Sequence, residues 1–135
     1  MGKYERLSSD IFSIFGSSDW VNEGVRIFPQ DYTKTSSEEE FLRANIVPSG
    51  KGLNRNSVAG VVIVDIFFVH GSGPKRGFQL ADVLDKFLVN KSRSTIAGQT
   101  VQFTDSSVQG FGQDSQNPNL SRMQYTVLFN FFGVL

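Results

Sequence analysis

The chain has 135 residues, 13 basic against 13 acidic side chains, and no cysteine. That length suits a single domain whose core needs no staples. The balanced charge argues against a protein whose main task is gripping phosphates, and the missing thiols exclude disulfides, thiolate metal sites and a cysteine nucleophile.

The N-terminus, MGKYERLSSD, lacks the apolar core of a signal peptide, and Arg6 stands where a myristoylation motif takes Ser or Thr. No run reaches the ~18 apolar residues of a membrane span, so the expectation is a soluble protein with no membrane partner. Tyr4, Leu7, Ile11, Phe12 and Phe15 fall on one stripe of an amphipathic helix over 3–15, stopped at Gly16. A turn is predicted over Gly16–Trp20 and a short strand over Val25–Phe28, ending before Pro29. Gln30–Glu40 is polar and reads as a solvated connection.

A strand follows over Glu40–Val47, then a hairpin loop from Pro48 to Asn56 that carries Lys51 and Arg55. Val58–Val69 is the longest apolar run; only Asp65 interrupts it, which predicts a strand covered on both faces. Gly71–Pro74 breaks that strand. A helix is expected over Lys75–Asn90 with Phe78, Ala81, Leu84, Phe87 and Leu88 on its apolar face. Thr100–Thr104 reads as a strand and Asp105–Leu120 as a loop with Gly110, Phe111 and Gly112 in it. The last segment alternates cleanly, Met123, Tyr125, Val127, Phe129 and Phe131 sharing one face. The sum is a single α+β domain over 1–135: two helices on a mainly antiparallel sheet, in the order α-β-β-α-β-β.

Chemistry is thin. His70 is the only histidine and no G-x-S-x-G elbow is present, so catalysis has little to run on. The string Gly71-x-Gly73-x-x-x-Gly77 lies between strand and helix, where dinucleotide sites sit, but its spacing is off by one and Pro74 removes an amide donor. No histidine, cysteine or carboxylate cluster has metal-ligand spacing. The reading is therefore of a protein that is not an enzyme and holds no cofactor or metal.

Four charges invite a second reading. Lys75 and Arg76 occupy the first turn of a helix, where the dipole disfavours them; they extend into water or meet an anion or carboxylate. Asp65 on an apolar strand needs a partner, within the chain or across a subunit boundary. Arg55 sits on a loop able to fold against a neighbour.

The block GVVIVDIFFVHGSGPKRGFQLADVLDKF, with FLRANIVPSG before it and MQYTVLFNF after it, resembles phage tail terminator proteins. There too a long strand ends at a glycine turn and enters a helix bearing an Ala-Asp pair, here Ala81-Asp82. The resemblance of layout spans Tyr4 to Phe132. It implies a virion protein of the tail or neck: a homo-oligomeric ring, commonly hexameric, on the head-proximal end of the tail tube. Such a ring stops tube growth and presents a surface to the head–tail connector protein, while DNA passes through its lumen unread. On that expectation Asp65, Arg55, Lys75 and Arg76 are subunit contacts, and Phe111 with Gly110 and Gly112 docks the tube or the connector. The alternatives are another neck or minor tail protein, or a small nucleotide-binding domain built on Gly71–Gly77.

Overall fold

The computed structural model describes residues 2–29, 40–51, 55–71, 73–95, 98–116 and 118–133. Helix α1 runs Lys3–Phe15 and buries Leu7, Asp10, Ile11, Ile14 and Phe15. Tyr4, at the start of the expected stripe, stays 58% exposed. After Gly16 the chain does not simply turn. Ser17 caps a second helical piece, α2 (Ser18–Asn22), its hydroxyl accepting from the Trp20 amide. Trp20 anchors this bend, with its ring edge-on to Phe15 at 4.9 Å and to Phe87 at 5.1 Å.

Six strands follow: β1 (Ile27–Pro29), β2 (Phe41–Lys51), β3 (Val58–Val69), β4 (Ser92–Arg93), β5 (Thr100–Gln113) and β6 (Leu120–Phe132). Helix α3 (Lys75–Leu88) stands between β3 and β4. The sheet order is β1-β2-β3-β6-β5-β4. All neighbours are antiparallel except β1 and β2, which run parallel.

This corrects the expected α+β layout of two helices on an antiparallel sheet in α-β-β-α-β-β order. The domain is mainly a curled, mixed sheet of six strands, with one bent N-terminal helix and one further helix. Two local causes account for the difference. The three-residue β1 pairs in parallel with β2, a long-range choice no local pattern announces. Residues Asp105–Gln113, expected as loop, continue β5, with register shifts at Phe103/Ser106 and Gly110/Gly112. Each bulge inserts a residue and resets the alternation, so polar and glycine residues sit in a strand without showing its period.

The core lies between the helices and one face of the sheet. Leu7, Ile11, Leu80 and Leu84 meet Val62, Val64, Ile66, Val127 and Phe129 there. α3 is rotated from the expected stripe: Phe78 is 49% exposed and Gly77 is buried instead. A Cβ on Gly77 would come within 2.6 Å of Met123 Sδ and 2.7 Å of Phe68 Cε1, so the missing side chain lets helix and sheet approach. Two carboxylates pin the layers. The Asp85 carboxylate accepts from Ser106 Oγ and from the Tyr125 hydroxyl, both at 2.6 Å. Burial, then the hydrogen bond to Asp85, pushes the Tyr125 phenol well above its ordinary value. Asp10, fully buried on α1, accepts from Thr95 and from Gln99 Nε2 and ties the residues after β4 to the helix.

Candidate assembly surface

Strand side chains alternate between faces, so even positions of β3 and odd positions of β6 enter the core. The other set forms a face that no helix covers among the described residues. Its rows follow from the strand register. Val47, Val61 and Leu128 make one row, and Asn45, Ile63 and Thr126 the next. Arg43, Asp65 and Gln124 follow, then Phe41, Phe67 and Arg122. The long strand, expected to be covered on both sides, has helices on one among the described residues, and on the other Asp65 and Phe67 are buried as well. Val61 and Ile63 are half-buried and Leu128 is 49% exposed.

One end of this face is apolar; the other joins charge to aromatic rings. Asp65 is buried to 6% exposure and accepts from Arg122 Nη2 at 2.8 Å and Nε at 3.2 Å. Arg43 Nη2 lies 3.7 Å from its second oxygen. One carboxylate thus serves two guanidinium groups, each about a third exposed, and a positive charge is left in excess. The Arg43 guanidinium sits 5.3 Å over the Phe67 ring, which stacks on Phe41 at 4.6 Å. The Arg122 guanidinium sits 5.1 Å over the Phe111 ring.

The structure thereby brings two expected residues together, Asp65 and Phe111, through an arginine the sequence reading passed over. Phe111 lies not on a loop but on the bulged end of β5, where Gly112 takes a φ of 73°. A positive φ there suits glycine because a side chain would be strained. Arg43 and Arg122 had no local signal, since both are placed against Asp65 only by strand register.

The remaining expected contacts lie elsewhere. Arg76 forms a two-nitrogen fork on Glu40, with Nη2 at 2.5 Å and Nε at 2.8 Å. That hydrogen-bonded carboxylate holds the guanidinium above its ordinary value and answers the unfavourable helix dipole from within the chain. Lys75 is exposed beside it. Arg55 is exposed next to the β2–β3 connection, part of which falls outside the described residues. His70 Nδ1 lies 2.8 Å from Ser121 Oγ, and its backbone amide donates to Asn119, which ties the end of β3 to the start of β6. In the Gly71–Gly77 turn, Gly77 serves helix–sheet contact and Arg76 is engaged by Glu40, while Ser72 lies outside the described residues.

Among the described residues there is no group of three His, Cys, Asp or Glu side chains that could hold a metal. No helix among them is long and apolar enough to cross a membrane. No family model and no curated protein matches the chain. A solved structure is similar over 97% of this chain and 91% of its own, with a TM-score of 0.63 and 19% identity. At that identity the likeness shows the fold alone, and the name that protein carries describes no activity.

Proposed function

We propose that this chain is a structural virion protein that forms a closed ring on the head-proximal end of a phage tail tube. The ring stops tube growth and presents a surface to the head–tail connector, and DNA passes through its lumen unread. The observation that carries this reading is the helix-free sheet face, with Val61, Ile63 and Leu128 half-buried or exposed beside the Arg43–Asp65–Arg122 cluster. Contiguous apolar surface edged by polar residues marks contact with other macromolecules. An arginine stacked on an aromatic ring suits such a contact as well, since both residue types are enriched at interface cores. The layout resemblance to tail terminators supplies the kind of assembly; the surface supplies a place for it. The same surface serves the neighbouring reading of another neck or minor tail subunit.

The mechanism is geometric. A heterologous contact whose rotation closes makes a ring and leaves no free end. A ring with one tube-like face adds once to the tube and then offers nothing for further addition.

Native mass spectrometry over a concentration series tests this. The expected result is a closed multimer, a hexamer of the 15.0 kDa chain by the resemblance. An open ladder of ever larger species would overturn the terminator reading in favour of a tube-forming subunit. Leu128→Lys on the open face is expected to abolish the multimer while the monomer stays folded. Charge reversal at Asp65 is a poorer test, because it would set a third cation between Arg43 and Arg122.

A further inference from the structure

We infer that neighbouring copies join back to face: the outer side of α3 in one copy seats on the open sheet face of the next. Asp82 then meets the Arg43–Asp65–Arg122 cluster. This rests on the ring reading above and names the surface that Leu128 and its neighbours contact.

The helix supplies a counterpart in both charge and apolar surface. Gly77, Leu80, Ala81, Leu84 and Leu88 turn inward. That leaves Lys75, Phe78, Asp82 and Lys86 as an exposed stripe at helical spacing. Phe78 is 49% exposed, a large ring that the core does not use. Lys86, one turn beyond Asp82, donates to Glu23 at 2.7 Å, so the Asp82 charge is unanswered among the described residues. On the sheet face the imbalance is opposite: Asp65 serves two guanidinium groups, each about a third exposed, and a positive charge is left over. A spare acid on one surface and a spare cation on the other are complementary, and such pairing fixes the register of a contact.

Position along the strands favours a second copy as the occupant. A closed ring has no rise, so a ring axis along the strands joins parts that stand at the same level. The level of each α3 residue follows from contacts within the chain. A Cβ at Gly77 would touch Met123, and Asp85 bonds Tyr125 and Ser106, the latter paired with Val127. From Gly77 to Asp85 the helix rises about 12 Å, and from Met123 to Val127 the strand advances about 13 Å. Helix α3 and β6 therefore run side by side in the same sense. On that scale Phe78 stands level with Met123, and Asp82, about 7.5 Å beyond Gly77, stands level with Tyr125.

The open face carries the matching groups at these levels. Phe111, 47% exposed, lies in the bulge opposite Met123 and Arg122. The row of Arg43, Asp65 and Gln124 adjoins Tyr125. A rotation without rise thus brings Phe78 of one copy to Phe111 of the next, and Asp82 to the two arginines. Farther along α3, the bond from Lys86 to Glu23 holds the exposed Val21 of α2 near the helix end, opposite Leu128 in the joint. The contact joins two different surfaces and is heterologous, which is the kind that closes a ring. The alternative, one open face against another across a two-fold axis, would end at a dimer.

Two variants, each with one surface broken, test the joint. Asp82→Arg spoils the helix side and leaves the sheet face intact, and Leu128→Lys does the reverse. Both positions are exposed, so each variant is expected to match the parent in circular dichroism and thermal unfolding. Alone, each is expected to be monomeric in native mass spectrometry. Mixed, they are expected to form a dimer of one copy of each and nothing larger, since only one intact joint can be made between them. The two substitutions change the chain mass differently, which separates this dimer from either homodimer. Rings from Asp82→Arg alone would overturn the joint and leave the ring reading standing. A homodimer of Asp82→Arg would overturn it in favour of the two-fold arrangement. A mixture that stays monomeric far above the concentration at which the parent forms rings would overturn it as well. A parent that is monomeric at every concentration would overturn both the joint and the ring.

Discussion

The two faces of one sheet show how differently a strand is held by what lies across it. On the helix side Val62, Val64 and Ile66 of β3 are at 0% exposure, and polar groups such as Tyr125 and Asp85 are bonded to each other. On the other side the intervening Val61 and Ile63 are half-buried, and the most buried polar group, Asp65, is shared by two arginines that reach solvent. The covered face uses its apolar surface for folding. On the proposed reading the open face keeps part of it for a partner.

That contrast is sharpest in aliphatic truncations. Leu84→Ala, at a fully buried helix position, is expected to cost about 2–5 kcal/mol in denaturant unfolding. Leu128→Ala is expected to stay within about 0.5 kcal/mol of the parent monomer while weakening the multimer. Equal losses of monomer stability at both positions would erase the distinction between the faces.

Polar groups rank next. Asp65→Ala leaves two guanidinium groups facing each other and is expected to cost about 1–3 kcal/mol, the range for stranding a buried partner, with added salt recovering part of the loss. A salt-independent loss would show that the cluster acts through packing. On the covered face, Tyr125→Phe is expected to cost about 0.5–1.5 kcal/mol at neutral pH, one hydrogen bond's worth. The Tyr125 phenol titrates higher folded than its unfolded value of 10.0, so its contribution is complete below that pH and is lost as pH rises above it. Parent stability should therefore fall above about pH 10 by an amount that Tyr125→Phe does not show. The smallest effect among the polar groups belongs to the exposed Arg76–Glu40 fork: Arg76→Ala is expected to cost less than about 1 kcal/mol. A larger loss in urea titrations would mean that Glu40 holds the start of β2 in place.

Local pattern was legible where one period runs uninterrupted. The bounds of α1, β3 and the start of α3 stand where the sequence put them, because stripe, apolar run and glycine or proline breaks all act within a few residues. β5 was illegible past Thr104: its two bulges break the alternation, and its outward side chains carry no burial to select them. The same holds for the surface. Asp65 announced that it needed a partner, since a lone carboxylate on an apolar strand is costly. Which residue answered was decided by a register that pairs Val64 with Tyr125 and so brings Arg122 within reach. Arg76 posed a similar question, and a residue 36 positions away, Glu40, answered it.

By itself, then, the sequence determined a cysteine-free chain of balanced charge with both helices and strands, its main helices and longest strands, and the need to compensate Asp65 and Arg76. The tertiary structure decided the mixed order of the sheet, which face of β3 stays open, and the meeting of Asp65, Arg122 and Phe111. The physical reason is one of range. Helix stripes and strand alternation arise from neighbours a few residues apart, whereas strand order and register are settled by contacts between distant segments, where the burial of a whole face selects one pairing among many.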